Sequence, residues 1–252
     1  MTEASEMRAG GLPSAVVVLV LACAFAVLIA LGTWQVYRLQ WKEGLLADID
    51  ARTQAPAVSL SEMEQRWAAE GTVEYWPVTA EGEFLHHAER HFFATWKGQS
   101  GFYVYTPLSL RDGRVVFVNR GFVPYDRKDA ATRAQGQVEG TVTVTGLARD
   151  PLSEKPSFIV PENEPDKNVF YWKDIAAMAA TAGLPESVEI VPIFVDANDA
   201  SNPGVLPVGG VTLIDLPNNH LQYAVTWYGL ALALVGVAVF RFRRRRQADP
   251  GP

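Results

Sequence analysis

Four histidines carry most of the metal-ligating and proton-transfer potential of this 252-residue sequence. His220 stands in Pro217-Asn218-Asn219-His220-Leu221-Gln222-Tyr223, just ahead of an apolar run that reaches Phe240. Asn218 or Asn219 is a natural N-cap, which puts His220 in the first turn of a helix. The positive end of the helix dipole disfavours imidazolium there, so the ring has a lone pair to offer. Tyr223 and Trp227 follow at i+3 and i+7 and continue an aromatic stripe below it. A neutral histidine above apolar helix faces suits haem iron, whose macrocycle is apolar and whose propionates prefer water. Arg38, just beyond an earlier apolar run, lies at similar depth and can pair with a propionate. The simpler role for the same histidine is to cap or anchor the helix at the interface, and both roles stand at this point.

The other three histidines, His86, His87 and His91, form a cluster. On a strand, His87, Glu89 and His91 share one face, either as a transition-metal site or as a plain solvated face. The rest of the catalytic inventory is thin. The chain has no G-x-S-x-G, H-E-x-x-H, G-x-G-x-x-G or phosphate-binding loop. Its one cysteine, Cys23, lies within an apolar run, which excludes an intramolecular disulfide and a four-cysteine metal site. A formal net charge of −6 argues against nucleic acid as a partner. A tethered enzyme is therefore disfavoured, although paired carboxylates have no fixed spacing to search for.

Two apolar runs must position these residues. The first, residues 12–32, is uncharged and spans roughly 31 Å as a helix, one bilayer core. It is too long for the apolar core of a cleaved signal peptide, and no small-residue cleavage site follows it. The second, residues 223–240, stops abruptly at five arginines, Arg241, Arg243, Arg244, Arg245 and Arg246. No lysine or arginine lies between Lys173 and Arg241, so the basic flank is on one side only. That bias predicts a cytoplasmic C-terminus (241–252), a cytoplasmic N-terminus (1–11) with Arg8, and an outer region over residues 33–222. Trp34, Tyr37 and Trp41 after the first run, and Tyr223, Trp227 and Tyr228 at the start of the second, fit depth anchors at the outer interface.

The outer region is acidic and long enough for one core. The spacing of Trp34, Tyr37, Arg38, Trp41 and Leu45 predicts that the first helix continues outward to about Arg52. Ser61-Glu62-Met63-Glu64 predicts a capped short helix ending near Gly71. Strands are predicted over Val78–Phe84, Leu85–Trp96, Phe102–Leu110 and Val115–Val118, the last two joined at Arg111-Asp112-Gly113-Arg114. Thr141–Thr145 alternates and ends at Gly146. A helix is predicted over Asn168–Ala182, another strand over Val188–Val195, and a loop over Asp196–Pro207. The fold class is α+β: a mainly antiparallel sheet or partly closed barrel, carried on two transmembrane helices.

Several of these segments, taken in order, resemble the surfeit locus protein 1 family. Leu31-Gly32-Thr33-Trp34-Gln35 with Arg38, Trp41 and Lys42 is similar to the family's signature after the first span. Gly101–Leu108 leading to Val118-Asn119-Arg120-Gly121-Phe122-Val123-Pro124 resembles its central motif, with Phe122 where a tryptophan is common. Val169-Phe170-Tyr171-Trp172-Lys173-Asp174 resembles a later aromatic segment, and Asn218–Tyr228 the approach to the second span. The resemblance implies an assembly factor for haem-copper cytochrome c oxidase in the bacterial inner membrane. It implies transient haem a binding at His220, with Arg38, Trp34, Tyr223 and Trp227 nearby, and delivery to oxidase subunit I. Haem a synthase is a further expected partner, alongside membrane lipid. One histidine ligand, not two, favours release. The alternative is a haem-free scaffold for an assembly intermediate. Arg120-Gly121 reads only as a strand-end arginine beside a turn glycine.

Overall fold

A computed structural model describes residues 14–199, 202–212, 214 and 217–248. The expected start of the first apolar run at Leu12 and Pro13, and Arg8 before it, lie outside the described residues. So does part of the expected 196–207 loop. The chain divides into two compact units: residues 1–47 with 215–252, and residues 48–214.

The first unit is helical. Helix α1, Ser14–Thr53, contributes all but its last turns, and α4 spans His220–Ala248. Both are long and apolar enough to cross a membrane. Their apolar side chains are mostly exposed, Leu19, Val20, Leu232 and Val237 among them. α1 bears out the predicted continuation to about Arg52. Where the two helices meet, α1 presents Gly32: a Cβ there would lie 2.8 Å from the Tyr228 ring. Small residues let helix backbones approach closely. Ala224 and Ala231 on α4 are likewise buried, and they share a helix face with His220 and Tyr228.

The second unit is a closed barrel with decorations. Strand β1 (Val58–Ser59) and helix α2 (Leu60–Glu70) come first. Strands β2 (Pro77–Phe84), β3 (Arg90–Trp96), β4 (Gln99–Leu110), β5 (Val115–Pro124) and β6 (Thr141–Arg149) follow. Helix α3 (Ile175–Thr181) and β7 (Ile190–Ala197) complete it. The strand order is β1-β2-β6-β7-β5-β4-β3, and a further pairing of β2 with β4 closes the five strands between them. β1–β2 and β5–β7 are parallel; the other pairs are antiparallel. β4 achieves closure by length. It pairs with β3 through Gln99–Tyr105 and with β2 through Leu108–Leu110, with an irregularity near Tyr103 and Tyr105.

Burial on both faces explains the continuous apolar runs in β5 and β7. One side carries Val116, Val118, Ile193 and Val195, packed with Val78, Leu108 and Met63 from α2. The other carries Phe117 and Phe194, packed with Tyr105, Phe170 and Met178 from α3. Gly121 lies where the backbone permits no side chain. Its φ is +124°, and a Cβ would sit 1.9 Å from the Val208 carbonyl oxygen.

Several boundaries differ from the expectation. The capping box of α2 is built on Ser59, whose hydroxyl accepts from the Glu62 amide while Glu62 returns the bond to the Ser59 amide. Ser61 instead lies inside the first turn. The expected strand Leu85–Trp96 is broken by a 3₁₀ turn over His86–Ala88. β6 continues past Gly146 to Arg149. The expected helix Asn168–Ala182 is confined to Ile175–Thr181, because Asn168 is left-handed at φ 50° and Phe170 bridges to Phe92 of β3.

Candidate functional site

His220 opens α4 after Asn219, whose carbonyl accepts from the Tyr223 amide, and the His220 amide donates to Asn218 Oδ1 at 3.4 Å. The half-buried ring faces α1. Its Nδ1 lies 2.7 Å from Oε1 of Gln35, which is itself 8% exposed. The acceptor is an amide oxygen, so Nδ1 is the donor, and in the neutral ring that tautomer puts the lone pair on Nε2. An imidazole held in this way is oriented for a ligand on its second nitrogen. A second polar rung lies further along the helices, where Thr33 Oγ1 and the Tyr228 hydroxyl are 3.0 Å apart.

The other expected site residues are arranged unevenly. Tyr223 is on the same helix, 54% exposed, and Trp227 is half-buried. Trp34 precedes Gln35 and is exposed. Arg38 is one turn beyond Gln35, with its guanidinium 4.2 Å from the Trp41 ring centroid on its own helix. The contact that joins the two helices at His220 thus comes from Gln35, which the sequence reading passed over. Gln35 stands within the motif after the first span, but nothing local marks it as a partner of a residue far along the chain.

The histidine cluster is not a strand-borne metal site. His86 and His87 sit in the 3₁₀ turn, and only His91 is on β3. Among the described residues, no group of three His, Cys, Asp or Glu side chains is placed to hold a metal ion. Nor do His87, Glu89 and His91 make one solvated strand face, because Glu89 and His91 are buried while His87 is exposed. Burial, with the charges of Lys128, Arg133 and Arg90 adding to it, pushes the His91 imidazole down to about 3. His86 is lowered chiefly by burial, and its Nε2 lies 2.7 Å from the Val138 carbonyl, to which it donates. Beside them Arg133 grips Glu89 through both terminal guanidinium nitrogens in a buried ion pair.

A closed mixed barrel, and two helices long and apolar enough to cross a membrane with a histidine held between them, fit a membrane protein that carries a barrel domain. Comparison with known proteins identifies it further. Residues 22–232 match the SURF1 family. Over 240 residues the chain is 38% identical to Surfeit locus protein 1 of Homo sapiens, covering 88% of this chain and 75% of that protein. It is 37% identical over 234 residues to the Rattus norvegicus protein (85% and 72% covered) and 36% identical over 233 residues to that of Mus musculus (85% and 72%). The chain belongs to the SURF1 family, which is involved in cytochrome c oxidase assembly.

Proposed function

We propose that this protein carries haem a transiently on His220 and passes it to oxidase subunit I during assembly. The observation that supports the reading is the Gln35–His220 bond, which leaves Nε2 available. When bound, haem a supplies an iron centre that accepts an axial nitrogen and a broad apolar ring. His220 would hold the iron, and Gln35 would fix the tautomer and the ring's direction. Tyr223, Trp227 and Trp34 would add aromatic surface, and Arg38 would leave Trp41 to pair with a propionate. A single nitrogen ligand keeps the complex exchangeable.

The one-sided run of arginines in the last turns of α4 supports cytoplasmic termini, with residues 33–222 in the periplasm of a bacterial cell. Haem a synthase is the partner expected upstream and subunit I the one downstream. A second reading, a haem-free scaffold, is favoured by the Thr33–Tyr228 contact, which together with Gln35–His220 makes a pair of ordinary interhelical rungs. Purification of the full chain in detergent from cells making haem a separates the two. A haem spectrum that disappears in His220→Ala supports carriage. A colourless protein that still co-purifies with subunit I overturns it and leaves the scaffold.

A further inference from the structure

Arg120 is more than a strand-end arginine. It is 2% exposed, yet no carboxylate among the described residues lies within ion-pair distance of it. Its Nη2 donates to the Gly136 carbonyl at 2.6 Å and to Asn202 Oδ1 at 3.0 Å. Its Nη1 faces the His86 ring nitrogen at 3.5 Å, and its face covers Phe84 at 4.6 Å. All these neighbours are neutral. Glu89 is the acid whose field reaches it, and Arg133 already clamps that carboxylate. Arg90 is buried nearby as well, so three arginines share one glutamate. A buried charge without a counter-charge is costly, and burial pushes the Arg120 guanidinium down to about 10.

Arg120 also lines a cavity of about 290 Å³. The walls are Phe84, Val138 and Val142, with Asn202 beside the arginine, and exposed Thr143 and Thr145 of β6 stand at the mouth. The cavity is therefore apolar, open to solvent, and electropositive at one point. Both Nη2 hydrogens are engaged, so a carboxylate would take a remaining N–H of the guanidinium, and one such charge-assisted bond suits one carboxylate better than a multiply charged anion. We propose that this pocket binds a small organic monocarboxylate, its carboxyl group on Arg120 and its short apolar tail against Phe84 and Val142. The site is separate from His220 and does not depend on haem carriage.

Sodium butanoate is the probe. The full chain in detergent is titrated with it, followed by calorimetry and by the amide NMR shifts of Thr143 and Thr145. Saturable binding at one site is expected, with butan-1-ol and inorganic phosphate weaker by about tenfold or more. Arg120→Gln should lose binding, but its buried position puts folding at risk. Thr143→Trp is the second variant, since it obstructs the mouth from an exposed position and leaves Arg120 alone. It should weaken butanoate about tenfold or more while leaving the thermal midpoint near wild type. Equal binding of butan-1-ol or phosphate, unchanged affinity in Thr143→Trp, or no saturable binding each overturns the proposal.

Discussion

Gln35 and His220 are 185 residues apart in sequence and 2.7 Å apart in space. The bond does for the imidazole what a carbonyl does for many metal-bound histidines: it fixes which nitrogen carries the hydrogen. Gln35→Leu removes the acceptor and leaves the size of the side chain nearly unchanged. Haem a affinity should fall about 10- to 100-fold, the range found when such supporting partners are lost. Gln35→Glu, which keeps an acceptor, should restore most of it. Absorption titrations of the full chain in detergent check both. Wild-type affinity in Gln35→Leu would reduce the bond to helix packing.

Gly32 and Tyr228 make a second close approach between the helices. A Cβ on residue 32 would meet three ring atoms at 2.8–3.0 Å, so Gly32→Leu must push the ring away and break the Thr33–Tyr228 bond. We expect a loss of about 1–3 kcal/mol, the usual cost of overpacking. The double variant with Tyr228→Ala should recover part of that loss, because the obstructing ring is gone. Thermal unfolding of the two single variants and the pair in detergent gives the coupling. Strict additivity would show that the ring is not what Gly32 accommodates.

The parts of this architecture that were legible in the sequence are those set by local pattern. Uncharged runs gave both long helices, and Arg111-Asp112-Gly113-Arg114 gave the hairpin, with Gly113 at φ 85°. What stayed hidden depends on distant partners. Within Asn168–Ala182 only the alanine-rich part after Asp174, the actual N-cap, has helical composition; Val169–Trp172 is β-branched and aromatic, and Phe170 is fully buried and tied to β3. The His87-Glu89-His91 alternation suggested a strand face, yet Leu85 leaves the extended region at ψ 76° and the chain turns before β3 begins. The continuous apolar runs of β5 and β7 mark two buried strands, but nothing local shows that they pair with each other in parallel. In the candidate site, His220 stood out by its place ahead of an apolar run, whereas Gln35 and the cavity at Arg120 emerge only when remote segments meet.

The buried pair of Glu89 and Arg133 offers a test of the polar cluster beside β3. Both groups are at most 5% exposed, and Arg133 also donates to the Arg127 and Lys128 carbonyls. Glu89→Gln keeps the shape but strands the guanidinium among Arg90, Arg120 and Lys128. Breaking a buried pair from one side typically costs about 3–5 kcal/mol, and that loss is expected here. Urea unfolding of the full chain measures it. A change below about 1 kcal/mol would mean that water reaches Arg133 freely.

His91 sets a pH dependence with a definite sign. Its imidazole is held near 3 in the folded protein, against an ordinary value near 6.5, because burial and the cations Lys128, Arg133 and Arg90 oppose its protonation. Glu89 faces it at 3.7 Å from Nε2, but that carboxylate is engaged by Arg133. Between the two values the unfolded chain binds a proton that the folded chain refuses, so stability falls as pH falls. The contribution is nil above about pH 7, and the slope for one group is about 1.4 kcal/mol per pH unit below 6.5. His91→Phe cannot take the proton, and its ring can keep the edge-on contact with Phe102. Wild type should therefore lose about 2 kcal/mol more than His91→Phe between pH 7.5 and pH 5, read as the difference in urea midpoints. Parallel pH profiles for the two proteins would show that the imidazole is protonated in the folded state and that the cations around it are screened.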